Sequence, residues 1–416
     1  MKPTKKIAIA GGGAMGIALA ATLCAHNAVS LWIRDKKRAK ETKKKRESKK
    51  HLPGVKIPES VFISSDLAEV IEGADLIIVA VPSFNMRDVL QLLKNLFGEK
   101  EGKWPLLVGL AKGMEKETLQ LPSDMVGDIF GRIGIPYSHL AVLGFASEIA
   151  RGRPTTEVLA SNDPVLTKEI KEILETEEFR ILASDDLIGV QLGGTLKNIL
   201  TIGIAIGEAT EKDPKIRKRL LSSAIEELVS IGTALGGAPE TLKDISGQGD
   251  LILTSSSSLS RSYRVGKRIY KEGILPIKNE IEKRRFTAEG WESVQAVYRI
   301  CQERDLEAPI VTEVYRVIYE GKSPEEAAEH LVNLAKEAER KEKEEKKKGK
   351  SKDKKKDKAK DKDKDKDKKK DGAKEKAKKK DKSKDKDKDK DKKKDKTKDR
   401  DRKNNQQKQE DSKDLL

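Results

Sequence analysis

Ile7-Ala8-Ile9-Ala10 is apolar at every position, the pattern of a short strand buried on both faces. It stops at Gly11, and an Ala/Leu-rich helical segment runs on to about His26. The same alternation recurs along the first part of the chain. Apolar runs at Val29–Ile33, Val61–Ile63, Ala74–Val81, Leu106–Leu110 and Ala141–Leu143 predict strands. Between them lie a charged helix and loop over Asp35–Lys50, a turn at His51–Val55, a short helix over Asp66–Ile71 and a longer helix ending near Phe97. Strands alternating with helices predict an α/β domain with a doubly wound parallel sheet.

From about Asp186 the strand signals stop and a helical period takes over. Leu187–Gly207 is almost wholly apolar or small, and Lys197 is its only charge. Such a helix is a membrane span or the centre of a helical domain. Lys197, Gln191, Asn198 and several glycines, followed by charged segments, favour the buried helix. Further helices are expected over Lys218–Leu235, Glu289–Gly321 and Ser323–Ala338, the last with Ser323 as cap and Pro324 at its first position. Ile245–Ser255, rich in Gly and Ser with one acid, reads as a polar loop of ligand-binding type. The resulting division is a sheet domain over 1–185, an all-helical domain over 186–340 and a tail over 341–416.

Charge changes the picture only through the tail. The net charge is +17, with 87 Lys and Arg against 70 Asp and Glu. Residues 341–416 hold 38 of the bases and 22 of the acids, so residues 1–340 are left at a net +1. The tail repeats Lys-Asp with almost no apolar residues, a composition that cannot offset ordering entropy, and it is expected to be disordered. No aromatics interleave its lysines, so specific nucleic-acid binding by stacking is not expected, while weak association with polyanions is. Two cysteines, Cys24 and Cys301, form no disulfide framework and suit a reducing, cytoplasmic setting. The four histidines lack metal-ligand spacing, and no structural metal is expected.

Three groups of residues carry candidate chemistry. Gly11, Gly13 and Gly16 form G-x-G-x-x-G between a strand and a helix, which predicts a dinucleotide phosphate site at the helix N-terminus, with Ala14 and Met15 inside it. Arg34 and Asp35 end the second strand, where the adenosine ribose would lie; Arg34 suits a 2′-phosphate and Asp35 a free hydroxyl, so NAD and NADP both stay open with dual use expected. Lys197 is a cation in an apolar helix, costly unless paired or functional, and a buried lysine suits proton transfer.

These motifs, taken in order, resemble the bacterial NAD(P)-dependent glycerol-3-phosphate dehydrogenase family over roughly residues 5–335. The blocks are Gly11–Gly16, Val81-Pro82-Ser83, Lys112–Glu115, Phe145–Glu148, Leu192–Asn198, Ser246–Leu251 and Leu259–Arg261. The resemblance implies a Rossmann domain, a homodimer, and interconversion of glycerone phosphate and sn-glycerol 3-phosphate for phospholipid synthesis. It implies Lys197 as the catalytic proton donor and acceptor. It implies substrate contacts at Lys112, Gly144, Asn198, Asp250, Ser260, Arg261 and Ser262, and cofactor contacts at Gly11, Gly13, Ala14, Met15, Gly16, Arg34, Lys112, Ala146, Arg261 and Glu289. The chain departs from the family pattern in three places. Ser262 stands for an Asn, Leu143-Gly144 leads straight into Phe145 without the usual Gly-Pro-Ser, and Ala14-Met15 stands for Ser-Trp. Two other readings remain at this stage: another two-domain hydroxy-acid or hydroxyacyl dehydrogenase, and a non-catalytic dinucleotide-binding scaffold with a polyanion-binding tail.

Overall fold

Short apolar runs that cannot alternate faces suit the middle of a sheet, and all of them but Val61–Ile63, which lies at an edge, pair on both sides there. The computed structural model describes residues 4–98, 104–131, 134–210, 213–283, 287–337 and Arg340; the predicted tail lies outside the described residues. Strands β1 (Lys6–Ala10), β2 (Ala28–Trp32), β3 (Phe62–Ser64), β4 (Leu76–Val79), β5 (Leu106–Gly109), β6 (Tyr137–Ala141), β7 (Thr155–Ala160) and β8 (Phe179–Ser184) form one sheet in the order β3-β2-β1-β4-β5-β6-β7-β8. β1 lies at the centre of the first part, with Ile7 opposite Val29 on one side and Leu76 on the other. Pairing is parallel from β3 through β6, which leaves all those strands ending at one edge.

The structure corrects three readings of the sheet. The strand expected at Ala141–Leu143 spans Tyr137–Ala141. Its first residues are polar: Tyr137 is half-buried with its hydroxyl 3.2 Å from His139 Nδ1, Ser138 and His139 are buried, and these side chains break the apolar pattern. β7 and β8 escaped the hydrophobic pattern altogether. Thr155, Thr156 and Glu157 leave only the last half of β7 apolar, and β8 is an edge strand with exposed positions between buried ones. β7 runs antiparallel to β6 and carries β8 parallel beside it, so the sheet reverses direction at that end.

The helix Leu187–Gly207 is apolar all round because other helices surround it. Pro214–Ala234, Asp250–Ser255, Arg261–Glu272, Glu289–Glu303 and Pro309–Tyr315 all pack on it. It is long and apolar enough to cross a membrane, yet 94% of its most apolar window is buried inside the protein. Asp186 starts it by accepting the Gly189 N–H at 2.7 Å. Ser323 caps the last helix, over 324–337, through the Glu326 N–H at 3.1 Å, as predicted.

Two helical expectations change. Ile245–Ser255 is wound rather than looped, with a wide turn at Ile245–Gly249 leading into the helix Asp250–Ser255. Glu289–Gly321 is not continuous: the first helix ends at Glu303, and a second begins at Pro309. Pro309 has no N–H and disfavours helical backbone at Ala308, so it opens a helix rather than extending one. The freed N–H groups of Ile310 and Val311 go to the buried Glu227 carboxylate, both at 2.9 Å.

Candidate active site

The carboxyl edge of the parallel strands meets the N-terminal half of Leu187–Gly207, and the chemistry-bearing residues collect there. The glycine turn follows β1. Gly11 has φ +141°, and a Cβ there would strike the Ala80 carbonyl; a Cβ at Gly16 would strike the Gly11 carbonyl oxygen. These two glycines are therefore required by close backbone approach. Gly13 differs, because a Cβ there would meet nothing within 4 Å. No side chain caps the helix Ala14–Leu23 that starts beside it, with Ala14 and Met15 in its first turn. Open space over an uncapped helix N-terminus fits a dinucleotide pyrophosphate. Ala146 begins the short helix Ala146–Ile149, which packs against Ala14–Leu23.

Lys197 is 6% exposed and Asp250 1%. Lys197 Nζ donates to Asp250 Oδ1 at 2.7 Å and to Thr254 Oγ1 at 2.8 Å. Lys112, on the loop after β5, donates to the other oxygen, Asp250 Oδ2, also at 2.7 Å, and to the Val142 carbonyl. Gly194 leaves room for the Lys112 stem to cross the helix; a Cβ there would sit 3.3 Å from Lys112 Cγ. Burial, with Lys112 adding to it, outweighs the upward pull of Asp250 and lowers the Lys197 ammonium to about 8. Burial raises the Asp250 carboxyl, but the two lysines outweigh it and hold it below its ordinary range.

Other predicted residues brace this cluster. The Asn198 amide donates to the Lys112 carbonyl at 3.2 Å and to the Gly194 carbonyl at 3.1 Å, and its oxygen accepts from Ser262 at 3.2 Å. Asn198 and Ser262 are thus engaged with the framework rather than held open. Glu289 Oε1 accepts the N–H groups of Ser83 and Lys112, both at 3.2 Å, and so ties two strand-end loops to the helical layer. Ser260 caps the helix Arg261–Glu272 through the Tyr263 N–H at 3.2 Å. Arg261 is exposed and donates to the Thr287 hydroxyl at 2.8 Å. Gly144 lies in the turn after β6, packed against Thr155 and Ile149.

Arg34 stands apart from the lysine cluster, exposed at the end of β2. Asp35 accepts the Arg38 N–H at 2.6 Å through one oxygen and caps the helix Lys36–Lys45. Arg38 Nη1 lies 2.6 Å from His51 Nε2. Burial, with Arg38, Lys50 and Arg261 adding positive charge, pushes His51 down to about 4, which leaves its ring neutral to accept from Arg38.

Three residues escaped sequence reasoning. Thr254 lies four residues after Asp250 on one helix face, a spacing visible only once the stretch is read as helix. Arg38 and His51 lay in segments read as solvated helix and turn.

Residues 6–167 match the family model described as the NAD-dependent glycerol-3-phosphate dehydrogenase N-terminus, and residues 186–329 match that described as its C-terminus. A glycerol-3-phosphate dehydrogenase [NAD(P)+] of Thiobacillus denitrificans is 34% identical over 328 residues, which is 79% of this chain and 98% of that protein. One from Carboxydothermus hydrogenoformans is 34% identical over 337 residues, 80% of this chain and 98% of that protein. The crystal structure of the Coxiella burnetii glycerol-3-phosphate dehydrogenase superposes with a TM-score of 0.72 at 28% identity, covering 79% of this chain and 99% of that one.

Proposed function

The chain belongs to the NAD-dependent glycerol-3-phosphate dehydrogenase family, and from that premise we propose that it interconverts glycerone phosphate and sn-glycerol 3-phosphate with NAD or NADP, Lys197 carrying the proton. The observation that supports this role for Lys197 is its buried ammonium, which keeps one N–H free after donating to Asp250 and Thr254. Bound NAD(P)H supplies the hydride that reaches the carbonyl carbon. Lys197 aims its remaining N–H at the carbonyl oxygen, stabilises the developing alkoxide and transfers the proton to it. In the reverse direction the neutral amine accepts the proton of the substrate hydroxyl. A lysine held near 8 has both forms within reach at neutral to mildly basic pH.

Asp250 keeps the two ammoniums apart and oriented, and Thr254 fixes the second N–H of Lys197. Lys112 has spent two donors on Asp250 and Val142, which leaves its third for a substrate oxygen. Arg261 suits the phosphate, since its guanidinium can grip a dianion with two parallel N–H bonds. The cytoplasmic setting accords with Cys24 and Cys301, both of which are free thiols.

The test is an initial-rate assay with glycerone phosphate and each reduced cofactor, run beside unphosphorylated dihydroxyacetone. Turnover that depends on the phosphate is expected. Equal turnover of dihydroxyacetone would remove the phosphate assignment to Arg261. Preferential turnover of a 2-oxo acid would overturn the substrate assignment.

A further inference from the structure

Glu157 is a carboxylate in the middle of β7 with no solvent exposure, flanked by Val158, Leu159 and Ala160. Removing a carboxylate from water costs several kcal/mol, and an apolar residue of similar size would be expected to serve packing as well or better. Packing therefore does not account for its presence. Its contacts do. Glu157 Oε2 accepts the Leu143 N–H, and the other end of that same peptide unit, the Val142 carbonyl, accepts from Lys112 Nζ. One peptide plane is held from opposite sides by a carboxylate and an ammonium. A carboxylate on the N–H polarises the peptide and makes its carbonyl a stronger acceptor for the ammonium. The chain of contacts continues through Asp250, whose two oxygens take Lys112 and Lys197 at 2.7 Å each.

The rest of the Glu157 environment is consistent with this arrangement. Burial raises its carboxyl, while the Leu143 and Gly144 amides, the Thr155 hydroxyl and the charge of Lys112 act against that rise. The turn it grips is the one that lacks the Gly-Pro-Ser of the family pattern. A Cβ at Gly144 would lie 2.8 Å from Thr155 Cγ2, so the turn approaches β7 at a distance that a larger residue would not fit.

We propose that Glu157 is a positioning residue: it clamps the Val142–Leu143 peptide so that the Val142 carbonyl seats Lys112 against Asp250 in the shortened turn. This rests on the reading of Lys112 as part of the active site.

Three substitutions test it in the full-length enzyme. Glu157→Gln keeps an acceptor at the same reach and can donate to Thr155, so kcat with glycerone phosphate should stay within about twofold of the parent. Glu157→Asp withdraws the acceptor by one methylene and Glu157→Val removes it. Both should lower kcat by about tenfold to a hundredfold, as an ångström-scale misplacement does. KM for NADPH and the melting temperature of the Asp variant should change little, which separates positioning from general damage. Parent-like kcat in Glu157→Asp overturns the proposal, as does a Gln variant as impaired as the Asp one. If Glu157→Val does not fold, Gln against Asp still decides. Lys112→Met serves as the control for the premise. Parent-like kcat in that variant would mean that the role of Lys112 fails. Loss there, with a parent-like Glu157→Asp, would mean that only the clamp fails.

Discussion

The glycine turn at Gly11–Gly16 and the Lys112–Asp250–Lys197 cluster face the same sheet edge but are built from different material. The turn is backbone: two glycines allow close approach, one opens on empty space, and the helix behind it has no side-chain cap. Its polar groups are left for a ligand. The cluster is side-chain charge, and its members pair with one another before any substrate arrives, each lysine keeping a donor for it. A dinucleotide brings its own negative charge, so unsatisfied N–H dipoles suffice to receive it. A group that must gain and lose a proton needs a fixed, partly dry environment that sets its pKa, and that requires burial with a partner. Breaking the first region should therefore spare the fold, whereas breaking the second should alter chemistry and stability together.

The largest effect is expected at Lys197. Lys197→Met keeps the length and apolar stem, removes proton transfer and oxyanion stabilisation, and should lower kcat by about a hundredfold to ten-thousandfold. Cofactor binding, measured by fluorescence, should persist. The pH dependence of stability follows from the lowered pKa. The folded state binds this proton less tightly than the unfolded chain, so the penalty is fully present below about 8 and disappears as pH rises toward the ordinary lysine value of 10.5. The Met variant should therefore melt no lower than the parent at pH 7. In the parent, kcat for ketone reduction should fall as pH rises through about 8, and kcat for alcohol oxidation should rise over the same interval. Parent-like kcat in Lys197→Met would transfer the proton role to Lys112.

Asp250→Leu should be next. It strands the buried Lys197 ammonium and the half-buried Lys112 ammonium at once, and removing one partner of a buried ion pair costs about 3–5 kcal/mol. Chemical denaturation should show that loss, and activity should fall with it. Stability equal to the parent would mean that water or another acceptor replaces the carboxylate, and the contrast between a self-paired cluster and an open turn would weaken.

Gly13→Val probes the open side of the comparison. Gly13 has φ −81° and ψ −177°, an extended backbone that valine adopts without strain, and its side chain would enter empty space. The melting temperature should hold. Affinity for NADH and NADPH should drop together by about tenfold or more, the scale of losing hydrogen bonds to a charged group. Unchanged affinity would place the pyrophosphate elsewhere.

The same contrast explains what the sequence disclosed. The turn is local: strand, glycines and helix are consecutive, so spacing alone revealed it. Lys197 was visible because a charge in an apolar helix is conspicuous. Its partners were not, since Asp250 is 53 residues away and Lys112 meets that acid across 138. The motif resemblance supplied those two, and it could not supply Glu157, which departs from an apolar run in a strand the hydrophobic pattern missed. Thr254 was lost for a different reason: glycines and serines made a helix look like a loop, which hid the i,i+4 spacing.

The smallest effect sharpens cofactor choice at the far end of the turn. Asp35, the alternative reader of a free ribose hydroxyl, has one oxygen engaged as the cap of Lys36–Lys45. Arg34 beside it is exposed, and the Arg38–His51 pair adds a second cation behind it. A 2′-phosphate placed there would meet two arginines against the one capping carboxylate of Asp35, whereas a 2′-hydroxyl would gain one modest hydrogen bond. Arg34→Ala should therefore raise KM for NADPH by about tenfold, the scale of one charge-assisted hydrogen bond, and leave KM for NADH within about twofold. Salt provides the cross-check. Exposed charge is screened over about 8 Å at physiological ionic strength, so the parent's affinity for NADPH should fall with added salt more steeply than that of the variant. Equal losses for both cofactors would show that Arg34 supports the adenosine end as a whole, and the choice between NAD and NADP would then pass to Arg38.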